Sequence, residues 1–248
     1  MRFSLKQACF GILFLLVACS PKIHTSEVQY QDYQITKAAP VDSAMLRFLL
    51  PYKNKMQSTM DKVIGFSKEG LSKQQPESAM GNFMVDVLKV QAEKAFQEKV
   101  DAAFVNYYGV RAGFPKGNIT VGSVFELMPF DNLVVLQVMS GAVLKQLTDA
   151  AAMEGGWPVA GIEMQIKDKK AINIKVGGKP LDLKANYTVA NSDYVANGGS
   201  GCSFLKSIPQ KNKGVLLRDA LIAEITEMTA KGKTIDAKIE NRVSLVNE

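Results

Sequence analysis

The period of the apolar positions changes several times along the chain. From residue 78 to 97, Met80, Phe83, Met84, Val87, Leu88, Val90, Gln91 and Ala95 recur in steps of three and four. Glu93, Lys94 and Lys99 fall on the other side, which predicts the strongest helix of the chain. A similar spacing over residues 43–65 places Met45, Leu46, Leu49, Met56, Met60 and Val63 on one face. Asp42 or Ser43 is the expected N-cap there, and Pro51 should break or kink the helix. Shorter helices are expected over 120–127, capped by Thr120, and over 140–153, stopped by Gly155-Gly156. A closing helix is expected over 215–230.

Between these segments the period falls to two. Val134, Leu136 and Val138 alternate with Val135 and Gln137, predicting a strand over 133–139. Residues 101–106 read as a buried strand running into a loop. Strands are further expected over 161–167, 171–176, 187–190 and 239–245, with a hairpin turn at Gly177-Gly178. Interleaved helices and strands with hairpins among them point to an α+β (mixed α/β) fold, not a sandwich or a bundle.

The N-terminus stands apart. Arg2 and Lys6 precede an apolar run over residues 8–18, too short to span a bilayer and suited to a secretory signal. It ends in Leu16-Val17-Ala18-Cys19, a lipobox, in which small residues precede a cysteine that receives lipid. The expected division is therefore a lipoprotein signal peptide over 1–18, lipidated Cys19 with a polar tether over 19–41, and a domain over 42–248. The expected location is the cell envelope, at the outer membrane or the periplasmic face, with the chain anchored to the membrane by lipid. Cys9 leaves with the signal and Cys19 is acylated. Cys202 then has no partner for an intramolecular disulfide, and it reads as a small buried thiol. The formal charge of +6 becomes +4 once Arg2 and Lys6 are removed, with 28 basic against 24 acidic residues. The basic residues are scattered, so no nucleic-acid partner is expected.

Hydrolytic machinery is hard to find. The one histidine, His24, lies in the tether. A dinuclear phosphoesterase centre needs several Asp, His and Asn ligands. The sequence has neither a P-loop nor a Gly-x-Ser-x-Gly elbow, and no catalytic residue is assigned.

Five blocks carry a resemblance. They are Glu77-Ser-Ala-Met-Gly81-Asn82-Phe-Met-Val-Asp86, Asn106-Tyr-Tyr-Gly-Val-Arg111 with its continuation to Pro129-Phe130-Asp-Asn132, Ser140-Gly-Ala-Val-Leu-Lys-Gln-Leu147, Trp157-Pro-Val-Ala160-Gly161, and Tyr187-Thr-Val-Ala-Asn-Ser-Asp-Tyr194-Val-Ala-Asn197-Gly198-Gly199-Ser200-Gly201. In this order they resemble the C-terminal, substrate-binding domain of the 5′-nucleotidase family. The resemblance implies that domain's layered helix–sheet–sheet–helix fold. It also implies a nucleoside held between two rings, at Phe130 and Tyr194, because stacking suits any base. Asn106 and Arg111 would contact ribose, base or the charged end of the ligand, and Asn132 would approach the base edge. Asn197 and Ser200 belong to the Gly-Gly loop that completes the nucleotide-binding set. Three positions depart from the family pattern. Tyr108 stands where the first glycine of a Gly-Gly pair is expected, Ser200 where an Asp is expected, and Pro76 where an Arg is expected.

In the family the metal site sits on a separate N-terminal domain, and the sequence shows no such domain. The expected function is binding of a nucleotide or nucleoside, with no cofactor in this chain. A separate metallophosphoesterase chain would carry the divalent metals. The alternative is a non-catalytic envelope lipoprotein, either a solute-binding module or a structural protein with a vestigial pocket.

Overall fold

The computed structural model describes residues 29–33, 36 and 40–246. The signal peptide, Cys19, His24 and most of the expected tether lie outside the described residues. Contacts divide the chain into two units, Met1–Phe48 and Leu49–Glu248.

Helix α1 (Ser43–Met60) is capped by Asp42, whose Oδ1 accepts from the backbone N–H groups of Ala44 and Met45. It runs through Pro51, so the expected break does not occur, and none of its residues is buried. The helix also stops short of the predicted end. Val63 and the residues after it form strand β1 (Val63–Ser67), which pairs antiparallel with β3 (Gly117–Thr120). Among the described residues no helix is long and apolar enough to cross a membrane.

Helix α2 (Ala79–Phe96) follows the prediction closely. The Ser78 side chain accepts from Gly81 N, and Gln97 ends the helix in a left-handed conformation. Strand β2 (Ala102–Phe104) is fully buried. Helix α3 (Val121–Leu127) opens on a capping box between Thr120 and Ser123. Strand β4 (Leu133–Ser140) leads into helix α4 (Gly141–Met153), with Ser140 as the cap.

The rest of the chain adds β5 (Val159–Ala160), β6 (Ile162–Lys167), β7 (Lys170–Val176), β8 (Lys179–Pro180) and β9 (Asn186–Ser192). The short helix α5 (Asp193–Ala196), β10 (Gln210–Leu216), helix α6 (Leu217–Ala230) and β11 (Val243–Leu245) complete it. A five-stranded sheet has the order β10-β4-β9-β2-β5, in which β9 and β2 are parallel and the other pairs antiparallel. A four-stranded sheet has the order β11-β6-β7-β8.

Two apolar cores flank the five-stranded sheet. On one side Met80, Met84 and Leu88 of α2 and Leu221 and Ile225 of α6 cover Ala103, Leu136 and Ala190. On the other, Leu144 and Leu147 of α4 join Phe104, Val189, Trp157 and the inner residues of β6 and β7. Burial of this many large side chains, at roughly 1.5–3 kcal/mol each, is what holds the fold. The α+β class expected from the pattern is the class observed.

Part of the first sequence block has a structural use. Buried Glu77 accepts from Asn82 Nδ2 at 2.6 Å and from Glu240 N at 2.8 Å, while Asn82 also donates to Lys238 O. Asp86 receives both Nη groups of Arg242 at 2.7 Å. The start of α2 therefore pins the C-terminal segment to the domain.

Candidate functional site

Three loops meet in a cavity of about 280 Å³ lined by Asn106, Tyr108, Gly109, Arg111, Phe130, Asn132 and Tyr194. This is near the small end of the ~300–1,000 Å³ typical of ligand sites, a size for one small molecule. Each loop leaves a strand or helix end of the five-stranded sheet region, so its side chains are set by a rigid frame.

The first loop continues β2. Buried Asn106 is followed by a single 3₁₀ turn over Tyr107–Gly109. A Cβ at position 109 would come within 2.7 Å of Asn106 Oδ1, so a larger residue there would displace the buried amide. Arg111 is fixed by its backbone N–H, which donates to Leu127 O at 2.9 Å. Its guanidinium stands 5.8 Å from the centre of the Phe130 ring.

The second loop carries Phe130 and Asn132 between α3 and β4. Arg218, buried at the start of α6, donates to Phe130 O at 3.4 Å and to Asp131 Oδ1 at 2.6 Å. The same guanidinium lies 4.2 Å from the Phe125 ring centre. Asn132 O accepts from Leu217 N.

Tyr194 lies on the third loop, in the turn of α5. Asp193 Oδ1 accepts from Tyr194 N and from Leu133 N, both at 2.9 Å. One carboxylate thus ties together the backbones that carry the two rings. Tyr194 Oη accepts from Ser200 N at 3.4 Å, and the ring lies flat on the glycine loop. A Cβ on Gly199 would come within 2.4 Å of the ring carbon Cε1.

Phe130 and Tyr194 are 39% and 48% exposed, so neither is a core aromatic. Of the residues expected from sequence, Asn106, Arg111, Phe130, Asn132 and Tyr194 line one cavity. Ser200 stands behind it, with its Oγ 3.4 Å from Asn106 Nδ2. Asn197 is outside the lining and accepts from Gln210 Nε2 at 2.9 Å. Tyr108, noted in the sequence as a departure, forms part of the wall. Asp193 and Arg218 escaped the sequence reading as positioning residues, although Asp193 sits inside the motif that contains Tyr194. Buried Cys202 lies outside the lining, and burial, reinforced by the charge of Glu154, pushes its thiol up to about 12.

Among the described residues, no carboxylate or imidazole lines the cavity. Among the described residues, no three His, Cys, Asp or Glu side chains gather as a metal-binding group. The amides, rings and guanidinium of the wall do not fit divalent cations, which prefer carboxylate and imidazole ligands. They do fit an aromatic base carrying polar and anionic groups.

The chain is similar to known proteins in sequence and in fold. The 5′-nucleotidase C-terminal domain family matches residues 63–207, more than half of the chain. The trifunctional nucleotide phosphoesterase protein YfkN of Bacillus subtilis is 26% identical over 221 residues, covering 79% of this chain and 14% of that protein. A 5′-nucleotidase of Vibrio cholerae is 32% identical over 170 residues, covering 64% of this chain and 30% of that protein. The crystal structure of a 5′-nucleotidase precursor from Thermus thermophilus superposes with a TM-score of 0.71 at 28% identity, covering 85% of this chain and 44% of that one. The chain thus spans less than half the length of each of these relatives. It belongs to the 5′-nucleotidase C-terminal domain family.

Proposed function

We propose that this chain binds a mononucleotide or nucleoside between Phe130 and Tyr194, and that it is the substrate-binding half of a two-chain nucleotidase. The observation that carries the reading is the convergence of two half-exposed rings, two amides and an arginine on one cavity. Stacking on the two rings would hold the base. Asn132 and Asn106 offer amide donors and acceptors to the base edge and the ribose. Arg111 offers a planar fork to a phosphate.

Catalysis on this reading belongs to a separate metallophosphoesterase chain carrying the divalent metals, because the cavity offers no ligands for them. In this chain the residues bind and orient. The lipobox ending at Cys19 supports a lipid anchor in the cell envelope, with residues 19–41 as the tether. Radiolabelled palmitate should enter the chain and fail to enter the Cys19→Ala variant; equal labelling of both would remove the anchor from the proposal.

Isothermal titration with nucleosides and nucleoside monophosphates tests the binding reading. Saturable heat with at least one of them is expected. No heat with any would leave the vestigial-pocket alternative in its place.

A further inference from the structure

We propose that helix α1 lies along the surface of the bilayer that carries the Cys19 lipid, with its apolar stripe in the acyl boundary and its basic residues against anionic headgroups. This rests on the lipid anchor proposed above and gives the chain a second point of contact with the membrane.

Every residue of α1 from 43 to 59 is exposed, so burial in a core does not account for its composition. Met45, Leu49, Tyr52 and Met56 recur in steps of four, three and four, which aligns them along one face. Their exposures run from 47% to 61%. Leu46 and Phe48, both exposed, widen the stripe. Arg47, Asn54 and Ser58 share the opposite face by the same count. Apolar side chains that line up in this way on one exposed face mark an interaction surface, whereas scattered ones would not.

Charge and position select the bilayer as the occupant. The helix carries Arg47, Lys53 and Lys55 and no Asp or Glu from 43 to 60, while Asp42 and Asp61 stand just outside its ends. Lys53 and Lys55 flank the apolar stripe, where their stems can lie along apolar surface with the ammonium groups among the headgroups. A basic helix with one apolar face is the pattern of helices that lie in the membrane interface. Among the described residues no helix is apolar enough to cross a bilayer, so α1 lies on the membrane and does not span it. Residues 20–42 separate the helix from Cys19 and, even fully extended, reach about 80 Å at most. Lipid at Cys19 therefore turns docking of α1 into an intramolecular step. Acyl chains combined with a basic patch give stable membrane attachment.

The lipidated chain in phosphatidylcholine vesicles, with and without phosphatidylglycerol, tests the idea. A polarity-sensitive fluorophore is attached at Leu49→Cys, Met56→Cys or Asn54→Cys, since Cys202 is buried. In the anionic vesicles the probes at 49 and 56 should shift to the blue of their emission in water, and the probe at 54 should not. Raising the salt should reduce the shift. Arg47→Gln, Lys53→Gln and Lys55→Gln together should lower the docked population about tenfold or more, with the chain still floating with the vesicles. Probes at 49 and 56 that emit as in water, on chains that float, overturn the helix contact and leave the anchor intact. An equal shift at all three positions contradicts a one-sided contact. A shift that grows with the number of chains per vesicle and ignores lipid charge puts a second copy on the stripe and overturns the bilayer. Failure of palmitate to enter the parent chain removes the anchor, and this inference falls with it.

Discussion

Phe130 and Tyr194 present half-exposed rings on opposite loops of one cavity, outside both apolar cores. Truncating either should therefore harm binding far more than stability. Phe130→Ala and Tyr194→Ala should each weaken nucleoside binding by about 1–3 kcal/mol. Their melting temperatures should stay near that of the parent. A large drop in melting temperature with unchanged affinity would make the rings structural. At this scale the sequence served well where a side chain points into the cavity from a recognisable motif, as for Asn106, Arg111, Phe130, Asn132 and Tyr194. It served less well where the role depends on distant partners. Asn197 sits within the same motif but turns to Gln210.

At the scale of elements, the site depends on how loops are tied to helices. Asp193 accepts from the backbones leading to both clamp rings. Asp193→Ala leaves those two N–H groups without their acceptor, and each unsatisfied group costs about 1–3 kcal/mol where water cannot replace it. Affinity for a nucleoside should fall along with stability, whereas Phe130→Ala lowers affinity alone. Unchanged affinity in Asp193→Ala would separate the carboxylate from the clamp.

Helices α2 and α6 are joined by Lys94, which donates to Glu224 and Glu227 at 2.8 Å. Hydrogen bonds from Lys231 and Lys94 hold the Glu227 carboxyl down at about 2, against 4.5 for the free group. Its contribution to stability is present in full above pH ~4.5 and disappears as the pH falls toward 2. Glu227→Gln should lower the melting temperature at pH 7, and the difference should shrink below pH 4.5. A difference that persists unchanged to pH 3 would contradict the ion-pair account.

Helices were easier to read than strands. α2, α3 and α4 declare themselves through apolar spacing and the caps Ser78, Thr120 and Ser140. β10, Gln210–Leu216, begins Gln-Lys-Asn-Lys-Gly with every one of those residues exposed, so only its pairing with β4 makes it a strand. β1 is hidden because Val63 continues the apolar spacing of α1, and its partners in β3 lie 50 to 57 residues further along the chain.

At the scale of the whole molecule, two cores on the faces of one five-stranded sheet fix three loops at a single cavity, to which the proposed reading gives the task of recognition. Saturation-transfer NMR on a bound nucleoside monophosphate tests the central claim most directly, because it reports which ligand protons touch the protein. The account predicts the strongest transfer to the base protons, with a marked loss for those protons in Phe130→Ala and in Tyr194→Ala. Transfer dominated by ribose protons, and unchanged in both variants, would contradict a base held between the two rings.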